Sequence, residues 1–390
     1  MRSTPALPVK NRIDDIEILR AFAVLLVIVE HVNFNLFAWN TPVLKAFYGH
    51  FAGWSGVDLF FVISGFVIAK DLVPRLQASE TRSAYFRNTL AFWIRRFWRL
   101  VPSAWFWLAF ILLASVAFNH SGAWGPFDNN LRTVLFSVLQ IANFHVARIF
   151  GVEFAGAAFV YWSLSLEEQF YIALPLLVFI SGRRLPWVLA LIVIPQLFLI
   201  RNTPLLALIR TDALFLGVLI ALWSQLPSYQ RLQPRFLRQP GVAFIVLVPL
   251  LVILAFNDSD YIRFTASPYG IVACLSGLLV LAASYDQNYF ARPSWLKRPL
   301  LWIGTRSYAL YLLHMPSYFL TREIWFRLSP AGTQFNSDFT YQFLATALVL
   351  LLGLSELNYR FIETPFRRRG VLIARRIQEK TSKKEGVTAE

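Results

Sequence analysis

Runs of about 20 mostly apolar residues recur along almost the whole chain, each long enough for a helix to cross a bilayer core. They lie at 16–38, 55–73, 101–118, 160–181, 185–200, 205–225, 241–256, 268–284, 300–320 and 340–360. A further apolar stretch, 132–150, is interrupted by Gln140, Asn143, His145 and Arg148. The pattern predicts an all-α fold: a polytopic transmembrane helical bundle of about ten spans, with a re-entrant or interfacial segment at 132–150. Composition agrees. Of 390 residues, 57% are hydrophobic and 15% charged, against roughly 25% charged in an ordinary soluble domain. A disordered or nucleic-acid-wrapping chain is excluded. The net charge of +15 would suggest nucleic acid in a polar protein. Here the basic residues sit between apolar runs, so the partner is the lipid bilayer and not nucleic acid. The single cysteine, Cys274, excludes an intramolecular disulfide and a thiolate metal cluster.

Charge orients the spans. If 132–150 crossed the membrane, Arg183, Arg184, Arg231, Arg235, Arg238, Arg292, Lys297 and Arg298 would all lie outside, against the positive-inside rule. With ten spans and both termini cytoplasmic, 26 of the 37 lysines and arginines fall in cytoplasmic segments. Outer loops keep a scatter such as Lys45, Arg263, Arg322 and Arg327. The expected location is the inner, cytoplasmic membrane of the cell. Asp14, Asp15 and Glu17 at the start of a long first span argue against a cleavable signal peptide. No linker and no internal repeat divides the chain. We expect one transmembrane domain over 1–365 and a basic cytoplasmic tail over 366–390, where Arg367, Arg368, Arg369, Arg375, Arg376, Lys383 and Lys384 attract anionic lipid.

Ionisable residues inside spans are costly and mark candidate sites. Arg20 and His31 are 11 positions apart, which leaves them about 20° apart on one helix face and about 16 Å apart along it. Rise per residue puts His31 and His314 each about 21 Å from the inner face and Glu167 about 10 Å from the outer one, nearly one level. Asp58 lies slightly nearer the outer surface. A carboxylate can orient an imidazole and stabilise its charged form, so this set can work as a general acid and base. It can equally be a structural polar network between helices. Arg95, Arg96 and Arg99 recur at helical spacing among Phe92, Trp93, Phe97 and Trp98, an amphipathic entry to the third span. Their forks suit bidentate phosphate, whether of a lipid headgroup or of a phosphorylated cofactor. There is no phosphate loop, nucleophile elbow or metal-ligand spacing in the sequence.

Taken in order, several blocks are similar to those of the acyltransferase family 3 integral membrane proteins. They are Ile18-Leu19-Arg20-Ala21 with His31, which looks like the family's Arg-x10-His; the run from Gly56 through Asp58 and Ser64 to Phe66; and Arg96-x-x-Arg99. Further matches are Trp162-Ser163-Leu164-x-x-Glu167-x-x-Phe170-Tyr171, Arg210-x-Asp212-Ala213-Leu214 with Gly217, the run from Ser307 to Pro316, and Glu363-x-Pro365. The resemblance covers Ile16 to Arg367. It implies transfer of an acyl group, usually acetyl, from a coenzyme A thioester to a hydroxyl of a saccharide or glycosylated acceptor. No cofactor is then bound permanently: acyl-CoA, acetyl-CoA first, is a co-substrate.

His31 resembles the family's essential histidine, Arg20 its partner on the same helix, and Arg96 and Arg99 the cytoplasmic pair on the acyl-CoA side. On this expectation His31 is the general base, oriented or charged by Glu167 or Asp58, and a covalent relay through His31 or Ser64 stays open. Ser64, Trp162, Arg210, Asp212 and His314 are candidates for the acceptor site, with Trp54 and Trp162 either stacking on sugar or forming an interfacial aromatic belt. The 390 residues hold no fused extracytoplasmic hydrolase-like domain, so a later transfer step would fall to another protein or be absent. The rival class is a transporter or flippase for an anionic solute with Arg20, His31 and Glu167 on its path.

Overall fold

The computed structural model describes residues 12–256 and 268–387, with side chains up to 379. Arg2, Lys10 and Arg263 therefore lie outside the described residues, as do the side chains of Lys380, Lys383 and Lys384. In a bilayer every backbone polar group must be satisfied within its own segment, which favours helices. The described residues form helices and loops without a β-strand. In chain order the helices are α1 Asp14–Glu30, α2 Pro42–Tyr48, α3 Ser55–Gln77, α4 Arg82–Ala117, α5 Phe127–Val138 and α6 Ala142–Ile149. Then follow α7 Tyr161–Ser181, α8 Leu185–Phe198, α9 Pro204–Leu208, α10 Asp212–Trp223, α11 Pro227–Arg231 and α12 Val242–Ala255. The last are α13 Pro268–Ser284, α14 Ser294–Thr305, α15 Ser307–Leu328, α16 Thr340–Asn358 and α17 Thr364–Val387.

Among the described residues four helical stretches are long and apolar enough to cross a membrane: Arg82–Ala117, Tyr161–Phe198, Pro204–Trp223 and Ser337–Glu379. Val242–Ala255 and Pro268–Ser284 are shorter apolar helices. The protein is thus an all-helical, multi-pass membrane protein. Three expected spans differ in outline. The first ends at Glu30, not residue 38, because Phe34 takes φ 62° between two asparagines and the chain turns. The stretch 205–225 is split between α9 and α10, where Arg210 leaves helical geometry to reach Asp58. The stretch 300–320 is split at Arg306, whose guanidinium bonds the Glu356 carboxylate and lies over the rings of Trp302 and Tyr359. The 132–150 stretch falls on α5 and α6, of 12 and 8 residues, joined where Gln140 takes φ 59°. At about 1.5 Å per residue neither is long enough to cross.

The helices that carry the site are held by close backbone contact. A Cβ on Gly65 of α3 would stand 2.0 Å from the Leu214 carbonyl oxygen, and one on Gly217 of α10 would stand 2.2 Å from that of Val62. Reciprocal small residues let two helices approach where lipid supplies no hydrophobic drive. The first turn of α1 is fastened to the α13–α14 connection and to α14: the Asp15 carboxylate accepts the Tyr289 N–H at 3.1 Å, and Asp14 pairs with Lys297 at 2.8 Å. Helix α4, at 36 residues, outruns the bilayer, and α17 packs along its protruding half.

Candidate active site

Three arginines from two helices line one cavity. Arg20 comes from α1 and Arg96 and Arg99 from successive turns of α4. Ser64 of α3, Ser163, Glu167 and Tyr171 of α7, and Ser307, Tyr308 and Tyr311 of α15 complete its polar lining, with Phe60, Phe61 and Leu100 among its apolar wall. Arg20 bonds Glu17 at 2.9 Å. Arg96 lies over the rings of Phe92 and Tyr171, at 5.6 and 5.5 Å. Arg99 has its Nε buried without a hydrogen-bond partner. Glu363, at the end of a π-helical turn, lies within electrostatic reach of Arg20 and Arg99, and its Oε2 is likewise buried and unpartnered. Buried polar atoms are normally satisfied. Guanidiniums left with donors to spare suit an incoming anion.

The two histidines meet. His31 caps the C-terminal end of α1 and His314 lies on α15, 283 positions away, with ring centroids 5.0 Å apart. His314 Nε2 is 3.2 Å from His31 Nδ1. The same His31 nitrogen is 2.9 Å from the Val27 carbonyl, and His314 Nδ1 is 2.6 Å from that of Tyr311. Phe159 stands edge-on to His31 at 5.1 Å. His314 is fully buried and His31 only partly so. Neither histidine is among the residues that line the arginine cavity. Tyr311 joins the two places: it lines the cavity, its ring lies 5.6 Å from that of His314, and its hydroxyl bonds Ser163 at 2.6 Å and the Val160 carbonyl at 2.9 Å.

The profile of acyltransferase family 3, described as an acyltransferase domain, matches residues 13–355. The chain belongs to this family. Among curated proteins, the family 3 chain is similar to the peptidoglycan O-acetyltransferase OatA of Listeria monocytogenes, 28% identical over 93% of this chain and 57% of that protein. It is also similar to the putative peptidoglycan O-acetyltransferase YrhL of Bacillus subtilis, at 28% over 90% of this chain and 54% of that one. With the O-acetyltransferase OatA of Staphylococcus aureus the values are 27%, 90% and 57%. The chain spans little more than half the length of these relatives. No solved structure matches it.

In this family 3 chain the remaining candidates stand apart from the histidines. Asp58 takes both ends of the Arg210 fork, at 2.8 and 2.7 Å, and Asp212 takes Arg201 at 2.9 Å. All four side chains are at most 3% exposed. Arg210 also lies over Trp162 and Tyr269, at 5.2 and 5.0 Å, so Trp162 covers an internal ion pair. Trp54 packs on Tyr269. Glu167 accepts from the Tyr171 hydroxyl at 2.6 Å. Among the described residues no hydrogen bond joins Glu167 or Asp58 to His31; the imidazole beside it is His314. Ser64 is in the cavity, on the arginine side.

Several site residues had no role assigned from the sequence. Tyr171, Tyr308, Tyr311 and Ser163 lie in blocks quoted above, and Tyr308 and Tyr311 are one turn apart inside an apolar helix. That spacing was the available signal. Glu168 has a weaker one, adjacency to Glu167; it lines a second small cavity with Gln140, Glu167 and Tyr308.

Proposed function

We propose that this chain is a membrane O-acetyltransferase that takes acetyl from cytoplasmic acetyl-CoA and delivers it to a hydroxyl of a peptidoglycan-type saccharide on the opposite side. The bundle crosses ten times, with both termini and the arginine cavity facing the cytoplasm. The observation that carries the reading is a cavity walled by Arg20, Arg96 and Arg99 that shares Tyr311 with the His31–His314 pair. Phosphates of the donor engage the guanidiniums, whose forks match phosphate oxygens. The pantetheine arm follows the face from Arg20 to His31, a distance of about 16 Å along α1. The relatives' names supply the acceptor class.

The chemistry is a thioester-to-ester exchange. His31 takes the proton of the acceptor hydroxyl as its oxygen attacks the thioester carbonyl carbon. The carbon–sulfur bond then breaks, the acetyl stays on the acceptor oxygen, and the departing thiolate takes the proton from His31 to leave as coenzyme A thiol. Position helps, since a cation at a helix C-terminus is favoured by the backbone dipoles, and His31 caps α1 at that end.

Replacing His31 by Ala tests this directly. In proteoliposomes supplied with acetyl-CoA and a tetramer of N-acetylglucosamine, mass spectrometry should find acetyl transfer lost by at least about 100-fold. Insertion and thermal unfolding should be as in the wild type. A folded His31→Ala protein that transfers at the wild-type rate removes the proposal.

A further inference from the structure

Resting on the reading of His31 as the base, we propose that His314 is a positioning residue that holds His31 in a single tautomer and leaves its Nε2 lone pair free for the acceptor hydroxyl. Hydrogen-bond bookkeeping carries it. A carbonyl oxygen only accepts, so the His314 nitrogen facing Tyr311 at 2.6 Å, Nδ1, must bear a proton. In the neutral ring His314 Nε2 is then a bare acceptor. His31 Nδ1 faces the Val27 carbonyl at 2.9 Å and that bare Nε2 at 3.2 Å. Both neighbours accept, so Nδ1 carries the His31 proton and shares it between them. By elimination His31 Nε2 holds a lone pair, and it has no hydrogen-bond partner among the described residues. The tautomers follow from the partners alone.

The same contacts fix orientation. Phe159 at 5.1 Å and His314 at 5.0 Å bracket the His31 ring, while Tyr318 stands edge-on to His314 at 6.0 Å. When Nε2 takes the acceptor's proton, Nδ1–H still points at two acceptors and the new charge is stabilised without rearrangement. Carboxylates orient the imidazole in many nucleophile–base sites. In this chain Glu167 and Asp58 are bound elsewhere, so a second imidazole, itself held by a carbonyl, takes that place. No net buried charge is needed before the reaction.

Two variants and one spectrum decide it. His314→Phe keeps the ring but offers no acceptor; kcat should fall at least about 100-fold, with the KM for acetyl-CoA within about twofold. His314→Gln sets an oxygen near the position of Nε2 and should retain activity within about tenfold of wild type. Nitrogen-15 spectra of histidine-labelled protein should show His31 protonated on Nδ1 and bare on Nε2, a result that needs no variant to fold. The opposite His31 tautomer overturns the proposal. So does equal activity of His314→Phe and wild type while His31→Ala is inactive. If His31→Ala also keeps wild-type activity, the base assignment itself has failed rather than its support.

Discussion

Asp58 and Arg210 show what a buried charge does when its partner is a second buried charge. Both are all but inaccessible and bonded through two parallel contacts. Removing one partner of such a pair strands the other, at a cost of about 3–5 kcal/mol, whereas replacing both with apolar residues is often neutral. Asp58→Leu should therefore lower the thermal unfolding midpoint sharply, and Asp58→Leu with Arg210→Met should recover most of the loss. Equal midpoints for the single and double variants would refute the pairing. The arginine cavity makes a different prediction. Charged hydrogen bonds contribute about 1.5–3 kcal/mol each, so Arg96→Ala with Arg99→Ala should raise the KM for acetyl-CoA at least about tenfold without loss of fold; titration with acetyl-CoA measures it. Side-chain chemistry was legible in the sequence where it repeats along one helix. Arg20 with His31, and Arg96 with Arg99, needed only the pitch of a helix. Depth arithmetic brought His31, His314, Glu167 and Asp58 near one level, but depth is a single coordinate. Which way each side chain turns depends on how distant helices pack, and that sent Glu167 to Tyr171 and Asp58 to Arg210.

Among the elements, α3 and α10 depend on each other most directly. Their crossing is set by Gly65 and Gly217, where backbone meets backbone. Gly65→Ala should cost about 1–3 kcal/mol, as overpacking does, because a carbonyl 2.0 Å away cannot rotate aside as a side chain can. Gly353→Ala on α16 meets nothing within 4 Å and should be neutral or slightly stabilising. Comparing the two unfolding midpoints checks the argument, and equal shifts would sink it. The sequence marked apolar helices well and their ends less well. Asn33 and Asn35 flank the turn after α1, but Phe37 and Trp39 continue the apolar run past it, which is why 16–38 reads as one span. Arg210 and Arg306 stand in apolar stretches, and in the structure each breaks the helix it interrupts while its partner lies on another element.

At the scale of the whole molecule, charge distribution gives a topology that can be tested. In a Cys274→Ala background, Val152→Cys and Arg184→Cys both present exposed positions, on either side of α7. Ten spans with 132–150 held at one face predict that an impermeant maleimide added outside intact spheroplasts labels residue 152 and not 184. Labelling of both from the same side would overturn the arrangement from α7 onward. The last helix adds something the composition could not foretell. Its arginines looked like a lipid-attracting tail, yet Phe366 stacks on Trp98 at 5.7 Å, Arg369 lies over the same indole, Gly370 packs against its Cβ, and Gln378 bonds Asn88 at 3.1 Å. Trp98 immediately precedes Arg99 on α4. A premature stop at Pro365 or Phe366 would strip the cover from that indole. A cell's quality control would then meet a damaged α4, not a protein missing an appendage.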